Sequence, residues 1–280
     1  EAGEFTKRAF MNGRIDLTQA EAIIDIIEAK TEDSLSLAVS QLDGTVSSFV
    51  KDVREQLIAM IAHLEVTIDY PEEDIEDVTS QEVREQLEPI LKAMDELLST
   101  ANTGRLIRDG ITTVIVGRPN AGKSSLMNAL LRENRAIVTD IPGTTRDSIE
   151  EYMTVEGISL RLIDTAGIRD TQDTVEALGV ERARDYINKA DIVLCVIDGS
   201  TPLTPEEIEI LISVSGLNTI VLLNKSDVAQ VVTDENIKEH GSFTAIERIS
   251  AKEGEGSAVL SKWVQELVYG GRVKQDNSAM

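Results

Sequence analysis

The chain has 280 residues, 41% of them hydrophobic, enough for two ordinary domains that each bury a core. Fifty acidic residues against 27 basic ones give a formal charge of −23, so most of the surface repels nucleic-acid phosphates, and an aromatic content of 3% offers no platform for stacking bases. The single cysteine, Cys195, excludes an intrachain disulfide and fits a reducing compartment, and no apolar run reaches the roughly 18 residues of a membrane span. The first residues, EAGEFTKRAF, lack the apolar stretch and cleavage site of a secretory signal. They also lack an initiator Met, so a fragment of a longer chain is expected.

Residues 1 to about 105 read as helical. Leu17, Ala20, Ile23, Ile24 and Ile27 recur at helical spacing between Leu17 and Lys30. A longer stripe runs through Val46, Phe49, Val50, Val53, Leu57, Ile61, Leu64 and Ile68, and Asp69-Tyr70-Pro71 ends it because proline cannot continue the hydrogen-bond ladder. The acidic stretch Glu72 to Asp77 reads as a loop. A further helix carries Val83, Leu87, Ile90, Leu91, Met94, Leu97 and Leu98 on one face, with its end expected at Thr103-Gly104. These stripes need a partner surface, either each other or sequence outside this chain.

From Ile111 the period changes. Thr112 to Val116, Ser159 to Ile163, Ile192 to Ile197 and Thr219 to Leu223 read as strands. Ser124 to Leu131, Gly179 to Lys189 and Pro205 to Val214 read as helices, and Ser257 to Val268 as a closing helix with Trp263 against the sheet. Alternation of this kind predicts an α/β domain with a mostly parallel sheet and helices on both faces. Cys195 lies within an apolar strand, where a buried structural thiol outweighs a nucleophile.

Five ordered motifs carry the chemistry. Residues 117–124, GRPNAGKS, fit G-x-x-x-x-G-K-[ST], with an apolar strand before and a helix-forming run after. Such a loop points successive N–H groups of Asn120, Ala121, Gly122, Lys123, Ser124 and Ser125 at phosphate oxygens. Lys123 can reach the β and γ phosphates, and the Ser124 hydroxyl can bind Mg²⁺. Asp164, ending an apolar strand 41 residues after Lys123, can hold a water of the Mg²⁺ shell, and Gly167 can offer its N–H to a γ phosphate. Residues 143–147, GTTRD, fall where a switch loop must lie, so that Thr145 can complete the Mg²⁺ shell. Residues 224–227, NKSD, decide the base. The Asp227 carboxylate can accept both edge donors of guanine, Asn224 can contact the base edge and brace the phosphate loop, and the Lys225 stem can cover the ring. Ser250, Ala251 and Lys252 bring backbone N–H groups toward guanine O6. The expected fold is therefore an α/β P-loop G domain over residues 106–270, joined to an all-α helical domain over residues 1–105, with residues 271–280 as a tail.

The order of these motifs is similar to that of the translation-factor-related GTPases. The segments GEFTKRAF (3–10), NGRIDL (12–17) and QAEA (19–22), with GRPNAGKS, IVTDI (137–141) and DTAGIR (164–169), resemble the MnmE (TrmE) family of tRNA wobble-uridine modification GTPases over nearly the whole chain. The resemblance implies a G domain inserted into a helical domain whose second half lies beyond residue 280, and a folate-binding domain before residue 1. It implies K⁺ as an activating cation held by Asn120, Thr139, Ile141 and Thr144, the loop from Thr139 to Thr144 closing over the ion. The residue after Gly167 is Ile168, which cannot orient water, and Glu176 matches the family's catalytic glutamate. On the residues alone, Glu176 reads as a carboxylate at a helix start. Arg146 and Arg169 are charged switch residues that can meet a second copy. The resemblance further implies a G-domain homodimer, a flavoprotein partner (MnmG, also GidA), tRNA met through that complex, and a cytoplasmic location without a membrane. Two alternatives remain at this point: a ribosome-assembly GTPase of the Era or Der type, which would need a KH domain or a second G domain, and a non-hydrolysing interaction module.

Overall fold

The computed structural model describes residues 2–69, 79–134, 150–164 and 185–270. The chain divides into two compact units, Glu1–Arg108 and Asp109–Met280.

The first unit contains α1 (Glu4–Met11), α2 (Leu17–Glu28), α3 (Glu32–Leu42), α4 (Thr45–Asp69) and α5 (Ser80–Asp109). Polar caps set where α2 and α3 begin. Asp16 accepts the Gln19 N–H at 2.9 Å, and the Gln19 side chain accepts the Asp16 N–H at 3.1 Å; Thr31 and Ser34 repeat the exchange before α3. Each box satisfies two donors that a helix start leaves open. The Asp16 carboxylate also takes the Ser47 hydroxyl of α4, and these hydrogen bonds, Ser47 first, hold it below the usual carboxylate range.

The expected apolar stripes exist, but among the described residues only Ile90 of the stripe residues named is buried. α2 packs against α3, and the buried side chains of that pair are the small ones, Ala22, Ser34 and Ala38. Leu17, Ile24 and Ile27 stay exposed, α4 buries no residue, and Leu91, Met94, Leu97 and Leu98 of α5 are exposed. Helical periodicity says which side of a helix is apolar and not what lies against it. The expected stop at Thr103-Gly104 is also corrected. α5 continues to Asp109, with Leu106 1% exposed on the added turn, and the break falls at Gly110. An isolated glycine weakens a helix by about 1 kcal/mol, which a buried leucine outweighs. The loop expected from Glu72 to Asp77 lies outside the described residues.

The second unit is one six-stranded sheet in the order β2-β3-β1-β4-β5-β6. Its strands are β1 (Ile111–Val116), β2 (Glu150–Val155), β3 (Ile158–Asp164), β4 (Ile192–Asp198), β5 (Thr219–Asn224) and β6 (Ala245–Arg248). All pairings are parallel except β2 with β3, a hairpin closed by Glu156-Gly157. β4 and β5 are buried along their whole length, which explains why they read as unbroken apolar runs.

Helices α6 (Lys123–Asn134), α7 (Pro205–Val214), α8 (Asp234–Lys238) and α9 (Gly256–Tyr269) cover the faces, and residues 185–189 are helical. Val193, Cys195 and Ile197 of β4 pack with Leu211 and Val214 of α7. The alternate positions face the other side, where Ile192 and Ile220 line a small cavity with Trp263 of α9. Trp263 is only half-buried; Leu260, Val264 and Val268 do most of the burying. Burial pushes the Cys195 thiol up to about 12, with the Glu207 charge adding to the shift, so it is an inert core side chain.

Candidate functional site

Because β1, β3, β4 and β5 are parallel, their C-terminal ends share one edge of the sheet. The register pairs Ile115 with Asp164, Val116 with Cys195, and Asp198 with Asn224. The chain passes from β3 on one side of β1 to β4 on the other, and a sheet of this class opens its ligand crevice where the strand order reverses. The loop after β1 leaves at that point.

That loop, Gly117 to Gly122, is bent by left-handed backbone at Asn120 (φ 63°) and Gly122 (φ 105°), and α6 starts directly behind it at Lys123. The loop folds around its own lysine. Lys123 is 6% exposed, and its Nζ donates to Gly117 O at 2.7 Å and Arg118 O at 2.8 Å. Ala121 is buried, while Asn120, Ser124 and Ser125 are exposed at the mouth of the helix. The first backbone N–H groups of α6 have no partner within the helix, so the helix start presents donors and a positive dipole end to an anion.

Asn224 ties three motifs together. It is 3% exposed; its Nδ2 donates to Ala121 O of the phosphate-type loop at 2.8 Å, and its Oδ1 accepts the Ala251 N–H at 3.0 Å. Asp227 is held from the other side by the Ser250 hydroxyl at 3.0 Å, with Lys252 Nζ at 3.9 Å. Lys225 also has left-handed backbone (φ 65°). Among the described residues only Asn120, Glu156 and Lys225 hold positive φ without being glycine, and two of the three lie in this site. Strained backbone of this kind persists where surrounding contacts over-determine it.

Two carboxylates here were not singled out in the sequence. Glu255 Oε2 accepts the Ser250 N–H at 2.8 Å and the Ser226 hydroxyl at 3.1 Å, joining the last two motifs. Asp198 ends β4 and accepts Ser200 N–H, the Ser200 hydroxyl and Lys225 Nζ. Burial pushes the Asp198 carboxyl up, but the hydrogen bonds from Lys225 and Ser200 more than offset this and leave it below the usual range. Asp198 had a readable signal, an acid at the end of an apolar strand, the same signal that marked Asp164.

Thus the structure brings Asn120, Ala121, Gly122, Lys123, Ser124, Ser125, Asn224, Lys225, Asp227, Ser250, Ala251 and Lys252 to one edge. The backbone of Asp164 ends β3 at that edge, and its side chain is outside what is described. Thr139, Ile141, Thr144, Thr145, Arg146, Gly167, Ile168, Arg169 and Glu176 lie outside the described residues. Among the described residues no three His, Cys, Asp or Glu side chains gather into a metal cluster. Among the described residues the oxygen donor at this point is the exposed Ser124 hydroxyl at the start of α6, a ligand that suits a hard cation.

This cradle, in an α/β unit joined to an all-α unit, makes the chain a P-loop G-domain protein with a helical domain. The family model described as the MnmE helical domain matches residues 17–280, and the chain belongs to the MnmE family. The tRNA modification GTPase MnmE of Clostridioides difficile is 50% identical over 278 residues, covering 99% of this chain and 61% of that protein. Its counterpart in Heliobacterium modesticaldum is 53% identical over 271 residues, covering 96% of this chain and 58% of that protein. The chain therefore spans about 60% of the length of these relatives. A crystal structure of Aquifex aeolicus Era bound to GDP·AlF4⁻ is 28% identical and covers 56% of each chain at a TM-score of 0.43. At that score it adds nothing to the fold class, which the strand order carries.

Proposed function

We propose that this chain binds guanine nucleotide at the strand-tip edge and hydrolyses GTP, in the service of tRNA modification. The observation that supports it best is the Asn224 brace: one buried amide holds the phosphate-type loop and the Ser250–Lys252 loop at fixed spacing, with Asp227 beside them. In this reading the α6 N-terminus and Lys123 bind the phosphates. Asp227 reads the guanine edge, and Ala251 and Lys252 face O6.

Ser124 and Thr145 would hold Mg²⁺, with Asp164 on its water shell; bound there, the ion offsets phosphate charge. Asn120, Thr139, Ile141 and Thr144 would hold K⁺, which supplies positive charge where other GTPases use an arginine. Asn120 fits the second role in one respect, since its left-handed backbone puts an exposed side chain at the tip of the loop. Glu176 would orient the attacking water, and Gly167 would meet the γ phosphate. Pairing of two G domains, the MnmG (GidA) flavoprotein partner, tRNA as substrate of the complex, and a cytoplasmic location belong to the same proposal. Its domain bounds are 1–105, 106–270 and 271–280. No helix among the described residues is long and apolar enough to cross a membrane.

The test is GTP hydrolysis by the 280-residue chain with Mg²⁺ in KCl against NaCl. We expect a rate at least about tenfold higher in KCl, one decade being about 1.4 kcal/mol of transition-state stabilisation, and loss of the difference in Asn120→Ala. Hydrolysis at equal rates in the two salts refutes the cation role. No hydrolysis in either salt, with no GDP binding, refutes the whole reading.

A further inference from the structure

The tip of β4 gathers charged side chains from both loops of the site. β4 is central, between β1, which feeds the phosphate-type loop, and β5, which feeds the Asn224–Asp227 loop. Its last residue, Asp198, is 4% exposed and pairs in register with Asn224. Its Oδ1 is taken by Ser200, through N–H at 3.0 Å and hydroxyl at 2.6 Å. Its Oδ2 faces two cations, Lys225 Nζ at 2.5 Å and Arg118 Nη2 at 3.8 Å. Lys225 is the second residue of one loop and Arg118 the second residue of the other.

The two cations have different second supports. Arg118 Nε lies 2.9 Å from Glu207 Oε1, close but not aligned as a hydrogen bond, and the Glu207 side chain is 1% exposed. The other Glu207 oxygen caps α7 by accepting the Thr204 N–H and hydroxyl, so Glu207 cannot move without freeing a helix start. Lys225 is held at its backbone by Gln230, whose Nε2 donates to Lys225 O at 2.7 Å, and at its ammonium by Asp198. A buried carboxylate is retained only with its charge matched and its lone pairs filled. Ser200 and Lys225 fill those of Asp198. Its charge is matched from both loops, by Lys225 and by Arg118, whose Nη2 donates to Thr201 at 3.2 Å and stays within 3.8 Å of Oδ2.

We propose that Asp198 is a positioning residue for nucleotide binding: its carboxylate sets the spacing of the phosphate-type loop and the base-reading loop through Arg118 and Lys225. This rests on the nucleotide reading above. Asp198 touches neither phosphate nor base in this scheme. It fixes the ammonium of Lys225, so that the lysine stem is already in place when the purine arrives, which spares ordering a long side chain on binding.

The experiment titrates the 280-residue chain with fluorescent GDP and compares Asp198→Asn, Lys225→Met and the double variant, with thermal melting alongside. Asparagine keeps the shape and the Ser200 acceptor but loses the charge; methionine keeps the stem but loses the ammonium. Each single variant is expected to weaken GDP binding about tenfold, the range for a lost hydrogen bond to a charged group. The double variant is expected to lose no more than a single one, because the two residues act as one unit. Additive losses, or wild-type affinity in either folded single variant, overturn the proposal. Should Asp198→Asn fail to fold, Lys225→Met alone decides, since its side chain is 40% exposed and a melting temperature near wild type is expected. A wild-type chain that binds no GDP overturns the nucleotide reading and this proposal with it; a wild type that binds while the variants match it overturns this proposal alone.

Discussion

Gly122→Ala is expected to weaken nucleotide binding about a hundredfold or more. Gly122 holds φ 105°, and a Cβ built there would sit 2.0 Å from Asn224 Nδ2 and 3.3 Å from its Cγ. A flexible surface side chain would swing aside, but Asn224 is fixed at both ends by Ala121 O and the Ala251 N–H and is 3% exposed. Relieving the clash means giving up that brace, so two buried hydrogen bonds are broken or distorted, at about 1–3 kcal/mol each. Left-handed backbone under an alanine adds about 1 kcal/mol. GDP affinity should fall about a hundredfold or more in a fluorescence titration, with a lowered melting temperature. Affinity within threefold of wild type would show that the loop tolerates a methyl group at this point and that the brace is not rigid.

Asp227→Asn should change which purine the chain prefers. An ionised carboxylate presents two acceptors to the neighbouring N1–H and N2–H₂ donors of guanine. An asparagine presents one acceptor and one donor, and the donor meets another donor on guanine. Xanthine carries an oxygen where guanine carries N2, and that oxygen accepts from the new amide. The partners around Asp227, the Ser250 hydroxyl and the more distant Lys252 ammonium, tolerate the amide without rearrangement. Loss of a matched pair of this kind discriminates by about 10² or more. We expect kcat/KM for GTP to fall by about that factor and xanthosine triphosphate to become the better substrate. An unchanged ratio of the two would remove Asp227 from base reading.

Much of this was readable before any coordinates, for physical reasons. Strands buried on both faces must be apolar throughout, so β4 and β5 stood out, and a parallel sheet forces the loops that follow its strands onto one edge. Lys123, Asn224, Asp227 and Ser250 could therefore be grouped from order and spacing. β2 is different. Of its residues 151–155 only Met153 and Val155 are buried, among polar neighbours, and it pairs through a tight turn at Glu156-Gly157 that lacks the usual asparagine. β6 has four residues, none of them buried. The end of α5 was misread because a glycine suggests a stop locally, while tertiary burial of Leu106 decides it. Glu255 escaped for another reason: a carboxylate that accepts from backbone and serine at the far end of a loop leaves no periodicity and no fixed spacing, whereas Asp198, at the tip of an apolar strand, carried the same signal as Asp164.

The lone thiol in the middle of β4 makes the protein its own chemical stopwatch. Cys195 lies one strand from β1 and one from β5, opposite Val116 and Val221, and the chain has no second cysteine to confuse the signal. A thiol reagent needs both access and a thiolate, and neither exists while the sheet is closed. Modification therefore counts openings of the central sheet and ignores fraying of α1 to α5. Saturating GDP should slow the modification in proportion to how tightly it is held, turning a core side chain into a gauge of ligand grip.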